Sequence, residues 1–320
     1  MDYQGFAETI DRIRAEVAKA LVGQEEVVEG VLIALVAQGH VLLEGVPGLG
    51  KTLLVRILGR VLSLEFKRIQ FTPDLMPSDV TGNKVYDAKA GDLAFRAGPV
   101  FTQLLLADEI NRAPAKTQSS LLEAMQERQV TIDGIRHALP NPFITLATQN
   151  PVESQGTYPL PEAQLDRFMF KLNMKYPAKV EENRILTNYA EGFDAADLDT
   201  ADLQPVCDVE TIVAMQQLAA KVRVDPRVVE YITSIVGQTR NWGSLYMGAS
   251  PRASVTLLMA GRIAAAVAGR DYLNPDDIRQ LAPWTLRHRV ILKPDAEIEG
   301  VTADDVVQEI LAAVQVPDLR

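Results

Sequence analysis

Residues 41–62 read VLLEGVPGLGKTLLVRILGRVL, and this stretch decides the fold. Val41-Leu42-Leu43-Glu44 is a short apolar run that breaks into a glycine-rich loop, the pattern of a buried strand. From Lys51 to Leu62 the apolar residues return at helical spacing. Between them, Gly45-Val46-Pro47-Gly48-Leu49-Gly50-Lys51-Thr52 satisfies G-x-x-x-x-G-K-[ST] in the strand–loop–helix setting that its mechanism requires. Glycines let the backbone curl so that N–H groups face a phosphate, and the helix N-terminus adds partial positive charge. Lys51 is placed for the β- and γ-phosphates, and the Thr52 hydroxyl for Mg²⁺. The loop, continued to Leu53, is the expected nucleotide cradle.

Working outward, strand candidates follow at 65–71, 103–108, 143–149 and 168–174, separated by helical segments. That alternation implies an α/β core, a parallel sheet with helices on its faces. Leu104-Leu105-Leu106-Ala107-Asp108-Glu109 carries two carboxylates to the carboxyl edge of such a sheet, where nucleotide sites form. Beside a phosphate loop, Asp108 is placed to hold Mg²⁺ and Glu109 to orient and deprotonate the attacking water. Taken singly, either acid would merely end a strand.

Two pieces depart from simple alternation. Residues 83–97 read as two short strands around Lys89-Ala90-Gly91-Asp92, and 129–139 as a hairpin turning at Asp133-Gly134. Helices are expected at 6–20, 24–37 and 179–190, and 191–208 is acidic and turn-rich, like a linker. From 209 onward every segment reads as helical. The expected division is a nucleotide-binding α/β core over 1–192 and an all-helical domain over 193–320.

Composition narrows the classes. Lys plus Arg is 32 against 42 Asp plus Glu, a net charge of −10. Neither half is basic, which argues against nucleic acid or an anionic membrane as the main partner. A single cysteine, Cys207, excludes an internal disulfide and a cysteine-rich zinc site. His40, His137 and His288 are too scattered in sequence to suggest a metal cluster. The N-terminus is acidic where a signal peptide is basic, and the apolar run Val31 to Leu43 is broken by Gln38-Gly39-His40. A cytoplasmic protein without a membrane span is expected.

The chain resembles the MoxR family of AAA+ ATPases, the branch related to magnesium chelatase ATPase subunits. The residues that carry the resemblance are Gly45–Thr52, Asp108-Glu109-Ile110-Asn111-Arg112-Ala113-Pro114, Ala147-Thr148-Gln149-Asn150-Pro151, Glu162-Ala163-Gln164-Leu165-Asp166-Arg167-Phe168 and Ser250-Pro251-Arg252-Ala253. It implies a five-stranded P-loop core followed by a smaller helical lid, with the two hairpins as the branch's insertions. By resemblance Asn150 is sensor 1, Arg167 the arginine finger that acts on a neighbouring subunit's nucleotide, and Arg252 sensor 2, reaching from the lid to its own chain's phosphates. Gln24 lies where family members approach the adenine. The resemblance further implies ATP with Mg²⁺, a homo-oligomeric ring expected to be hexameric, a von Willebrand factor A (VWA)-domain partner, and chaperone-like remodelling or maturation of a client protein. Arg112 and Lys116 are weaker candidates for contact with a neighbouring subunit. His288, Trp242, Tyr246 and Met247 read better as packing residues. Two rival readings are a nucleotide-gated scaffold with little turnover and a DNA-associated motor. Intact Glu109, Asn150 and Arg167 speak against the first, and the acidic balance against the second.

Overall fold

The computed structural model describes residues 1–87, 91–150 and 156–319. Lys89 and Ala90 of the expected turn, and Pro151, lie outside the described residues. The chain opens with α1 (Tyr3–Val17), started by Asp2, whose carboxylate accepts from Gly5 N at 2.8 Å. Its stripe Phe6, Ile10, Ile13 and Val17 is buried. Helix α2 (Glu25–Val36) is apolar on nearly every face because it is enclosed on nearly every side. Then come β1 (Val41–Glu44), α3 (Lys51–Val61), β2 (Phe66–Gln70) and α4 (Pro77–Thr81).

The first expected insertion is the antiparallel pair β3 (Gly82–Asp87) and β4 (Asp92–Ala97). After β5 (Leu104–Asp108) and α5 (Ala115–Glu127), the second is β6 (Gln129–Ile132) paired with β7 (Ile135–Ala138). The two hairpins hold each other: Phe95 stacks on His137 with ring centroids 4.0 Å apart, and Lys84 pairs with Asp133 at 3.3 Å. The core closes with β8 (Ile144–Gln149), α6 (Glu162–Leu165), β9 (Phe170–Asn173) and α7 (Lys179–Ala190).

Five strands form one parallel sheet in the order β2-β5-β8-β1-β9. Successive side chains leave a strand on opposite faces, so each apolar run feeds two cores. Leu43, Leu104, Leu106 and Leu146 join the larger core with α1, α2 and α3. Leu42, Leu105, Ala107 and Ala147 join the smaller core beside α5.

The segment 191–208 is packed rather than free. Leu198, Leu203 and Cys207 are buried, Val206 N donates to Val61 O at 2.8 Å, and Arg56 donates to Ala195 O at 2.7 Å. Its apolar residues have no regular period, so acidity and turn residues dominate its appearance in the sequence. Beyond it lie α8 (Val209–Ala219), α9 (Pro226–Thr239), β10 (Leu245–Met247), α10 (Pro251–Val267), α11 (Pro275–Leu286), β11 (Ile291–Leu292), α12 (Pro294–Ile298) and α13 (Ala303–Ala313). The antiparallel β10–β11 pair departs from the expectation of helix throughout; two and three residues are too few to show alternation.

The helical half grips the sheet at β9, an edge strand. Trp284 meets Phe170 edge to face at 5.7 Å and donates to Glu26 at 2.7 Å. Arg287, His288 and Arg289 donate to the carbonyls of Lys171, Phe168 and Met169 at 3.2, 3.1 and 3.1 Å. Backbone acceptors in and just before this edge strand are thereby satisfied. Among the described residues no helix is long and apolar enough to cross a membrane.

Candidate nucleotide site

At the carboxyl edge of the sheet a cavity of about 480 Å³ opens between the phosphate loop, α7 and the segment after it. Pro47, Gly48, Leu49, Gly50, Lys51, Thr52 and Leu53 line it. Gly48 and Gly50 hold φ near +87° and +85°, a left-handed conformation in which a side chain would be strained. Gly45 and Val46 sit beneath this rim: the Gly45 carbonyl accepts from Lys51 Nζ, and Val46 packs on the core. Lys51 is also 3.5 Å from Gln149 O. Burial pushes its ammonium below the ordinary lysine value, and Asp108, Glu109 and Glu44 pull the other way.

Asp108, the last residue of β5, and Glu109 after it also line the cavity, with Thr148 and buried Asn150. Asp108 accepts from Thr148 Oγ1 at 2.7 Å and from Arg68 Nη2 at 2.7 Å. Glu109 stands at φ +54°, with its N–H donating to Thr148 Oγ1 at 2.8 Å. Its carboxylate accepts from Gln70 Nε2 at 2.7 Å and from Arg112 at 3.0 Å. The left-handed backbone turns the Glu109 side chain away from the strand direction. Such a conformation persists in a non-glycine residue only where its surroundings hold it.

The rest of the cavity is mostly apolar. Leu21, Val22, Ile185, Tyr189 and Phe193 line it together with Gln24, whose Nε2 donates to Lys175 O at 3.0 Å. Tyr189 and Phe193 meet edge to face at 5.3 Å. A wall of this kind suits a planar base, leaving the polar end to the phosphates.

Two arginines singled out from the sequence are not among the residues that line this cavity. Arg167 borders a separate depression of about 370 Å³ with Ser119, Glu123, Gln126, Glu127 and Gln164. Arg252 lies against Asp166, the residue before Arg167, 3.9 Å from its carboxylate and 3.5 Å from its carbonyl. Asp166 also accepts from Ser250 Oγ at 3.0 Å and Arg289 Nε at 2.7 Å. Lid and core therefore meet at Asp166, next to Arg167.

Arg68 and Gln70 were not singled out from the sequence, and Thr148 and Asp166 entered only within the motif segments, with no role at the site. A usable signal was the strand register, in which Gln70 pairs with Asp108 across β2 and β5. A polar residue at the carboxyl end of each neighbouring strand arrives at the same edge as the two acids. Trp242 donates to Glu309 at 3.2 Å and buried His288 joins lid to core, so both pack. Tyr246 and Met247 are exposed.

Residues 40–170 match the family model described as ATPase family associated with various cellular activities (AAA), and 237–310 match an AAA lid domain. The chain is 49% identical over 302 residues to the uncharacterized Bacillus subtilis protein YeaC, covering 94% of this chain and 93% of that one. It is 43% identical over 321 residues to the Mycobacterium tuberculosis chaperone MoxR1, with 98% and 83% covered. A crystal structure of a Cytophaga hutchinsonii protein provisionally named an ATPase superposes with a TM-score of 0.90 at 40% identity, covering 99% of this chain and 97% of that one.

Proposed function

The chain belongs to the MoxR family of AAA+ ATPases, and from that premise we propose that it hydrolyses ATP with Mg²⁺ in a hexameric ring to remodel or mature client proteins with a VWA-domain partner. One observation carries the catalytic part: Lys51, Thr52, Asp108, Glu109 and Asn150, dispersed over a hundred residues, converge on one cavity. The chaperone-like role rests on the relation to MoxR1.

Loop N–H groups and Lys51 Nζ hold the β- and γ-phosphates, with the helix dipole of α3 behind them. Thr52 and Asp108 offer a hydroxyl and a carboxylate on that cavity, hard oxygen donors that fit Mg²⁺. The ion, when bound, offsets negative charge on the phosphoryl oxygens. Thr148 orients Asp108 by donating to Oδ1. Glu109 takes the proton from a water whose oxygen attacks the γ-phosphorus, giving ADP and phosphate. Asn150 positions that water or the γ-phosphate. Gln24 and the apolar wall receive the adenine.

Arg167 serves the next subunit's nucleotide, and Arg252, expected from the resemblance to act within its own chain, joins it. The support is that neither lines the chain's own cavity and that Asp166 holds Arg252 beside Arg167. Guanidinium groups there stabilise charge on a transferring phosphoryl group and cannot be deprotonated.

Glu109→Gln is expected to keep nucleotide affinity and lose about 100-fold or more in ATP turnover. Arg167→Ala loses at least as much, and mixing the two variants restores turnover at hybrid interfaces. Wild-type rates in Glu109→Gln would sink the catalytic assignment. Co-assembly without recovery would sink action in trans.

A further inference from the structure

Helix α5 begins just after the Asp108–Pro114 segment, and its second turn holds a polar side chain in a fully buried place. Gln118 has no solvent exposure. Its Nε2 donates to the carbonyls of Ile110 at 3.2 Å, Ala113 at 3.1 Å and Tyr158 at 2.8 Å. The first two carbonyls bracket the short turn Ile110–Arg112 that follows Glu109. The third lies in the segment that runs through α6 to Arg167. That segment is tied back twice more: Tyr158 N donates to Asn111 O at 2.6 Å, and Gln164 donates to Ser119, the neighbour of Gln118, at 3.3 Å.

The amide oxygen of Gln118 is buried and has no partner among the described residues. An apolar side chain of the same length would avoid the desolvation cost of that oxygen. What Gln118 offers in exchange is the amide N–H group, shared by three carbonyls from two separate parts of the chain. Glu109 sits at a positive φ that only its surroundings maintain, and the turn directly after it is fixed from outside by this amide.

We propose that Gln118 is a positioning residue that locks the Glu109 turn of a subunit's own site to the segment presenting Arg167 to its neighbour's. The proposal rests on the roles given above to Glu109 and Arg167. One buried amide then sets the geometry of two active sites, and a shift of either segment is transmitted to the other through rigid hydrogen bonds.

The test compares full-length Gln118→Met, which keeps the volume and removes the donor, with Gln118→Asn, which keeps the amide and withdraws it by one carbon. ATP turnover, KM for ATP and thermal unfolding are measured on each, beside wild type and Glu109→Gln. Gln118→Met is expected to lose about 10- to 100-fold in kcat with KM for ATP within about twofold, since small displacements of a catalytic group cost that much. Gln118→Asn falls between it and wild type. Placed on the Glu109→Gln background, whose own sites are silent, Gln118→Met should lessen the turnover restored to Arg167→Ala subunits in mixed assemblies, because Arg167 is misplaced.

Unchanged kcat in a folded Gln118→Met, or a loss no larger than its unfolded fraction, overturns the proposal. So does finger donation equal to wild type. Should Gln118→Met not fold, Gln118→Asn decides by the same split of kcat from KM. Wild-type turnover in Glu109→Gln would instead overturn the reading on which the proposal rests, whatever Gln118 does.

Discussion

Two aspartates, one in the nucleotide cavity and one at the lid–core junction, each hold an arginine, and the two pairs differ in how the arginine is enclosed. Asp108 in the nucleotide cavity pairs with Arg68 at 2.7 Å, and the Arg68 side chain is 46% exposed. Asp166 at the lid–core junction pairs with Arg289 at the same distance, and the Arg289 side chain is 2% exposed. All three nitrogens of Arg289 donate, to the Asp166 carboxylate and to the carbonyls of Phe168, Met169 and Thr285 among others. Among the described residues Arg68 donates to side-chain oxygens of Asp108 and Gln70 alone. The first guanidinium sits in water's reach and can be displaced by a ligand. The second is built into the fold, because leaving would strand several buried acceptors. The same ion pair thus acts as a replaceable contact in one place and as a fastening in the other.

The sharpest way to break this contrast is to remove the buried partner. Arg289→Met should destabilise the protein by about 3–5 kcal/mol, since it leaves Asp166 and nearby carbonyls uncompensated. Denaturant unfolding at neutral pH measures it, and a change under about 1 kcal/mol would place the two pairs in one class.

Acid offers a second test, because His40 and His288 are buried and neither lines the nucleotide cavity. Burial lowers His288 at the junction well below its ordinary value, with Arg289 adding to the effect. Burial likewise lowers His40 to about 4, although its hydrogen bond to the Met125 carbonyl opposes the shift. His40 uses both ring nitrogens, receiving Thr145 N–H at Nδ1 at 3.0 Å, so the folded state holds it neutral. The unfolded chain takes up these protons near pH 6.5 and the folded chain only below that. Stability is therefore complete above about pH 7 and falls with pH through that window. From His40 alone the loss between pH 7 and pH 5 is about 2 kcal/mol. Unfolding curves at the two pH values check it; equal stability would contradict the buried, neutral state.

The smallest effect belongs to the exposed pair. Arg68→Ala should change stability by less than about 1 kcal/mol, as half-exposed ion pairs do. A loss as large as that of Arg289→Met would show that Arg68 is a fastening after all.

Legibility follows the same division. The central strands were readable because their apolar residues run together up to a polar end, as Leu104 to Asp108 does. The hairpin at Asp133-Gly134 was readable because its turn residues adopt positive φ, at +49° and +77°. Segment 191–208 was not, since its three buried residues follow no period. Gln118 was not either: a glutamine on an amphipathic helix looks solvent-facing until the loops that cover it are known.

By itself the sequence determined the α/β class, the phosphate loop and the acids beside it, because these depend on local spacing. A strand delivers its last residue to the sheet edge whatever lies far away. Only the tertiary structure decided which arginine meets which acid, and that Arg252 rests at Asp166 rather than on the chain's own cavity wall. The pairings at Asp166 depend on how the helical half seats on edge strand β9, a matter of packing between residues more than eighty positions apart. No local pattern of side chains encodes the burial that makes one of these pairs permanent and leaves the other free to exchange.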